Sequence, residues 1–184
     1  MTGSQPSPFP HASVITGGAR SGKSALAERL AIAAARPRIY LATAEAGDAE
    51  MADRIARHRQ DRGPDWTTQE VPHALPAALA GLPPGAVALV DCATLWLTNR
   101  MLAGADLTVE AAALGDAIAA CPCPVIVVTN EVGWGIVPDN ALARAFRDAQ
   151  GRLNQRLAAR ADLAVAVIAG LPLVLKGALP PGVA

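Results

Sequence analysis

Short apolar runs alternate along this chain with longer alanine-rich stretches, and glycine, proline or aspartate stands at most of the joins. That alternation predicts a parallel sheet covered by helices. The strands are expected at 13–16 (SVIT), 38–42 (RIYLA), 66–71, 86–90 (AVALV), 124–129 (PVIVVT), 163–169 and 172–175. The continuously apolar 86–90 and 124–129 runs suit strands buried on both faces. Helices are expected at 24–35, 49–61, 73–82, 92–103, 109–120 and 141–161, the first stopping before Pro37. In the last, Leu142, Phe146, Ala149, Leu153 and Leu157 recur at helical spacing and predict its inward stripe. No internal repeat is visible.

Composition narrows the classes. With 184 residues, 52% hydrophobic and 17% charged, the chain has the size of one domain and too much apolar content for wholesale disorder. Lys plus Arg and Asp plus Glu are both 16, so there is no basic excess of the kind that neutralises a nucleic acid. Aromatics are only 3%, which argues against base-stacking platforms. Cys92, Cys121 and Cys123 lack zinc spacing and read as reduced thiols. The longest apolar stretch, 163–175, is interrupted by Gly170 and Pro172 and is too short to span a bilayer. Residues 1–12, with Pro6, Pro8 and Pro10, read as a flexible extension rather than a signal peptide. A soluble, cytoplasmic protein without stable membrane insertion is expected.

Gly17-Gly18-Ala19-Arg20-Ser21-Gly22-Lys23-Ser24 fits GxxxxGKS between an expected strand and an expected helix. Glycines let successive backbone N–H groups converge on phosphate oxygens at a helix N-terminus, whose dipole favours anions. Lys23 can then reach the β- and γ-phosphates, and the Ser24 hydroxyl can ligate Mg²⁺. Asp91 closes the 86–90 run, where a carboxylate would complete the Mg²⁺ shell; an Asp capping the next helix would look the same. The fold class is therefore α/β: a P-loop NTPase (RecA-like), mostly parallel sheet flanked by helices, in one nucleotide-binding domain over 13–184.

Two further segments carry chemistry. Arg54, His58 and Arg62 are four residues apart and line one helix ridge. That ridge is either a triphosphate surface with His58 as nucleophile, its neighbouring arginines favouring the neutral imidazole, or a solvated face. The 129–140 loop (TNEVGWGIVPDN) leaves a buried strand at the ligand-binding edge of the sheet. There Asn130 and Glu131 orient a substrate or a metal-bound water, or the loop merely caps the next helix through Asp139 or Asn140.

Together GGARSGKS, the RIARH segment, TNEVGWGIVP and RAFRDAQGRLNQRLA resemble the bifunctional adenosylcobinamide kinase / adenosylcobinamide-phosphate guanylyltransferase family over nearly all of 14–176. The resemblance implies phosphorylation of the aminopropanol hydroxyl of adenosylcobinamide by ATP or GTP. Transfer of GMP from GTP to that phosphate follows, through a guanylylated His58, giving adenosylcobinamide-GDP and pyrophosphate. It also implies nucleotide contacts at Gly17 to Ser24 (Lys23 among them), Thr43, Ala44, Glu45, Arg59, Gln60, Asp61, Arg62, Glu70 and Asp91. Mg²⁺ would be held by Ser24 and Asp91. A homo-oligomer is implied as well; the resemblance does not assign the corrinoid surface, for which the apolar 92–103 region and the Trp134 loop are this sequence's own candidates. Position 91 is Asp where some relatives are expected to carry Glu. The competing readings are a plain P-loop small-molecule kinase, in which His58 has no role, and a RecA-like ATPase acting on nucleic acid, which the neutral charge disfavours.

Overall fold

A computed structural model of the chain describes residues 9–45 and 63–183. The elements are β1 (Ala12–Gly17), α1 (Lys23–Ala33), β2 (Arg38–Ala42), β3 (Trp66–Glu70), α2 (Leu75–Ala80), β4 (Val87–Asp91), α3 (Ala93–Leu102), α4 (Leu107–Ala120), β5 (Val125–Val128), α5 (Ala141–Arg160), β6 (Leu163–Ile168) and β7 (Leu171–Lys176). The expected 49–61 helix lies outside the described residues.

The strands form one sheet in the order β3-β2-β4-β5-β1-β6-β7. All neighbours run parallel except β6 and β7. Successive residues of the central strands face opposite sides, so Val14, Val90 and Val127 join one apolar cluster while Ile15, Leu89 and Ile126 join the other. α1 covers the second face with Leu26 and Leu30, and α2 to α5 cover the first with Leu79, Trp96, Leu114 and Leu153. Fully burying each such side chain contributes about 1.5–3 kcal/mol, which is why an apolar run without alternation forms a central strand.

Several boundaries differ from expectation for identifiable reasons. Ala12, expected in the extension, is the first residue of β1, and the Asp162 carboxylate accepts from the backbone N–H groups of both His11 and Ala12. α4 starts at Leu107 rather than 109, because Asp106 caps it by accepting from the N–H groups of Thr108 and Val109. The last two strands form a hairpin through Ala169 and Gly170, whose φ values of 52° and 82° match a type I′ turn. Leu142, expected in the inward stripe of α5, is 59% exposed, and that stripe is buried only from Ala149 onward. No helix among the described residues is long and apolar enough to cross a membrane.

Candidate active site

β1 and α1 are joined by the glycine loop at the carboxyl edge of the sheet, where open α/β folds place ligands. α1 opens at Lys23, so Lys23 and Ser24 occupy its first turn, at the positive end of the helix dipole. The loop is wedged against the β6–β7 hairpin. A Cβ on Gly17 would lie 2.5 Å from the Val167 carbonyl oxygen, and the Gly170 N–H donates to the Ser21 carbonyl at 2.9 Å. Gly22, at φ 95°, comes so near Gly170 that a Cβ would be 3.4 Å from its Cα. Lys23 is buried and its Nζ donates to the Gly18 carbonyl at 3.0 Å, spanning the loop from end to start. Ala19 and Arg20 stand exposed at its crown, Arg20 in the left-handed region at φ 56°.

Asp91 is the last residue of β4 and remains half-buried. It does not cap the following helix, whose N-cap is Cys92. Its Oδ2 instead accepts from the Tyr40 hydroxyl of β2 at 2.6 Å. The Cys92 thiol is pushed up to about 11, first by burial and then by the charge of Asp91, while Lys23 pulls the other way. The thiol therefore sits within the fields of both the loop lysine and the strand-end carboxylate. A hydroxyl at Ser24 and a carboxylate at Asp91 are hard oxygen donors, the chemistry that Mg²⁺ takes with few protein ligands and several phosphate or water oxygens; the residues fit such an ion.

A second polar group stands at the same edge. Glu131 Oε1 accepts from the Thr16 hydroxyl at 2.8 Å and from Asn154 Nδ2 at 2.9 Å. The Asn154 amide is itself fixed: its Oδ1 accepts from the Thr129 hydroxyl and from Gln150 Nε2, and its Nδ2 also donates to the Asn130 carbonyl. Thr129 and Gln150 are fully buried, and the Asn130 N–H donates to Thr94 Oγ1. The helix-capping reading of this loop holds for Asn140, whose Oδ1 accepts from the Ala143 N–H.

The remaining expected residues divide. Thr43 is fully buried, its hydroxyl donating to the Cys92 carbonyl and accepting the Cys92 N–H, both at 2.8 Å. Ala44 is half-buried, and exposed Glu45 contacts His73 Nε2 at 3.0 Å. Glu70 ends edge strand β3 and is exposed. His58, Arg59, Gln60, Asp61 and Arg62 lie outside the described residues. Within the 92–103 region Trp96 and Leu97 have no exposed area, while Leu102 is 72% exposed. Trp134 is 63% and Ile136 96% exposed. Sequence reading missed Thr16, Tyr40, Gln150 and Asn154. Gln150 and Asn154 did leave a trace, as two polar residues four apart on the inward stripe beside Ala149 and Leu153.

Residues 13–175 match the sequence model of the CobU family, described as cobinamide kinase / cobinamide phosphate guanyltransferase. The chain belongs to this family. It is 47% identical over 167 residues to the bifunctional adenosylcobalamin biosynthesis protein CobP of Pseudomonas aeruginosa, covering 89% of this chain and 96% of that one. It is 42% identical over 179 residues to the protein CobU of Salmonella typhimurium, covering 89% and 98%. Members of the CobU family are enzymes, and this chain is one. The crystal structure of the RadB recombinase shares the fold, with a TM-score of 0.52 at 15% identity over 94% of this chain and 84% of that one. The fold is thus of the RecA-like P-loop type, and that likeness bears on architecture alone.

Proposed function

We propose that this enzyme phosphorylates adenosylcobinamide with ATP or GTP and then transfers GMP from GTP to the product. The observation that carries the reading is the buried Lys23 closing a glycine loop at the sheet edge where Asp91 and Glu131 also stand. Family membership supports both half-reactions. Phosphoryl transfer depends mainly on positioning and on neutralising charge. Loop N–H groups and Lys23 hold the phosphates, and Ser24 and Asp91 hold Mg²⁺. When bound, that ion neutralises charge on the phosphate oxygens.

In the second half-reaction His58 attacks the α-phosphorus of GTP, pyrophosphate leaves, and the cobinamide phosphate displaces the imidazole. Covalent catalysis thereby divides one difficult displacement into two. The two half-reactions address different phosphorus atoms, γ for the corrinoid hydroxyl and α for His58, so each needs its own acceptor in line with the bound nucleotide; His58 lies outside the described residues. Thr43 to Glu45, Glu70 and Arg59 to Arg62 complete the guanine nucleotide contacts in this reading. The exposed apolar residues Leu171, Leu173 and Leu175 on edge strand β7 support association of copies into a homo-oligomer, and the cytoplasm is its compartment.

The test uses GTP labelled at the α- or the γ-phosphate, without corrinoid. Acid-labile, alkali-stable α-label on the protein, absent from His58→Ala, is the expected result. A wild-type protein that phosphorylates adenosylcobinamide but takes up no α-label would leave only a small-molecule kinase.

A further inference from the structure

We propose that Glu131 is the catalytic residue that accepts the proton of the acceptor hydroxyl in phosphoryl transfer, with Thr16 and Asn154 as its positioning residues. This rests on the kinase reading above. β5 lies between β1 and β4 in the sheet, so the chain leaving β5 emerges between the phosphate loop and Asp91. The Glu131 N–H donates to the Gly17 carbonyl at 3.1 Å, which fixes its main chain to the first residue of the loop. Its carboxylate is held through one oxygen only. Oε1 accepts both bonds, from Thr16 and Asn154, while Oε2 accepts none among the described residues.

The support behind Glu131 is costly for packing alone. Burying an amide is unfavourable unless it is hydrogen-bonded, yet α5 places Gln150 and Asn154 inside, beside the apolar Ala149, Leu153 and Leu157. The two donors on Asn154 Oδ1 determine which way its amide points, and so guarantee that Glu131 meets an N–H rather than a carbonyl. A carboxylate anchored by one oxygen, with the other left for a ligand, is built to hold a hydroxyl.

The step balances. As the acceptor oxygen bonds to the γ-phosphorus, its proton passes to Glu131 Oε2. The bond from the γ-phosphorus to the bridging oxygen breaks, and the nucleoside diphosphate leaves with the electron pair. Guanylyl transfer has no such proton to remove, because its nucleophiles are a neutral imidazole and then a phosphate oxygen. Glu131 should therefore matter to one half-reaction and not to the other.

Glu131→Gln is the informative variant, since its amide oxygen can still accept from Thr16 and Asn154. In the full chain, phosphate transfer from γ-labelled ATP to adenosylcobinamide is measured beside two guanylyl readouts: α-label uptake from GTP, and GMP delivery to preformed adenosylcobinamide phosphate. The expected result is a fall of about 10²–10⁴-fold in kinase kcat, with KM for the corrinoid and both guanylyl readouts within about threefold of wild type. Thr16→Val should lower kinase kcat about tenfold, with Thr16→Ser restoring it. Kinase activity of Glu131→Gln within about threefold of wild type, or a parallel fall in both half-reactions, overturns the proposal. A wild-type enzyme that never phosphorylates adenosylcobinamide would instead overturn the kinase reading itself.

Discussion

The two adjacent glycines that open the phosphate loop should respond very differently to a methyl group. At Gly17 an added Cβ would sit 2.5 Å from the Val167 carbonyl oxygen and 2.7 Å from Ser21 Oγ. The serine hydroxyl can rotate away, but the carbonyl belongs to β6, which is paired in register with β1. Gly17→Ala must therefore push β1 and β6 apart by at least about half an ångström, an overpacking that costs about 1–3 kcal/mol. At Gly18 nothing lies within 4 Å of the added carbon, so Gly18→Ala should change stability by less than about 0.5 kcal/mol. For a chain of this size the first cost corresponds to a fall in Tm of roughly 3–10 °C. Thermal unfolding followed by circular dichroism measures this, and repeating it with GTP reports whether the distorted loop still gains from nucleotide. Equal Tm values for the two variants would refute the steric argument.

Two other outcomes follow from the site's surroundings. Thr43→Val keeps shape but orphans the buried Cys92 N–H; it should cost about 1–3 kcal/mol, visible as a lower urea midpoint at unchanged slope, with Thr43→Ser close to wild type. The Cys92 thiol, raised from 9.0 to about 11 in the folded protein, keeps its proton longer than it does in the unfolded chain. The native state then binds more protons in that window, so the stability from Cys92 is complete below pH 9.0 and is lost as pH rises towards about 11. Urea midpoints at pH 8 and pH 10 should show the fall, and Cys92→Ser should flatten it.

Much of this architecture is legible from local patterning, and the reason is physical. A strand buried on both faces must be apolar throughout, so 86–90 and 124–129 announce β4 and β5. A loop that wraps phosphate needs glycines at fixed spacing, so 17–24 is visible before any strand order is known. Partnerships between distant segments are another matter. Tyr40 reads as one more apolar strand residue, and its bond to Asp91 depends on β2 lying beside β4, which no local pattern encodes. Asn154 reads as an interruption of an apolar stripe until Thr129, Gln150 and Glu131 gather round it. Within the apolar 92–103 segment the two ends of the range differ: Trp96 is core and donates its indole N–H to the His73 carbonyl, whereas Leu102 faces outward. Apolar character alone does not say whether a side chain waits for a ligand or for its own chain.

The clamp of the β6–β7 hairpin on the phosphate loop has a consequence for the order in which this molecule acquires its parts. Residues 17 to 24 are far in sequence from their neighbours in space, Val167 and Gly170. Contacts of such long sequence separation form late and slowly. The shape of the loop therefore depends on a partner far along the chain, and any opening of the β6–β7 hairpin would loosen the loop with it.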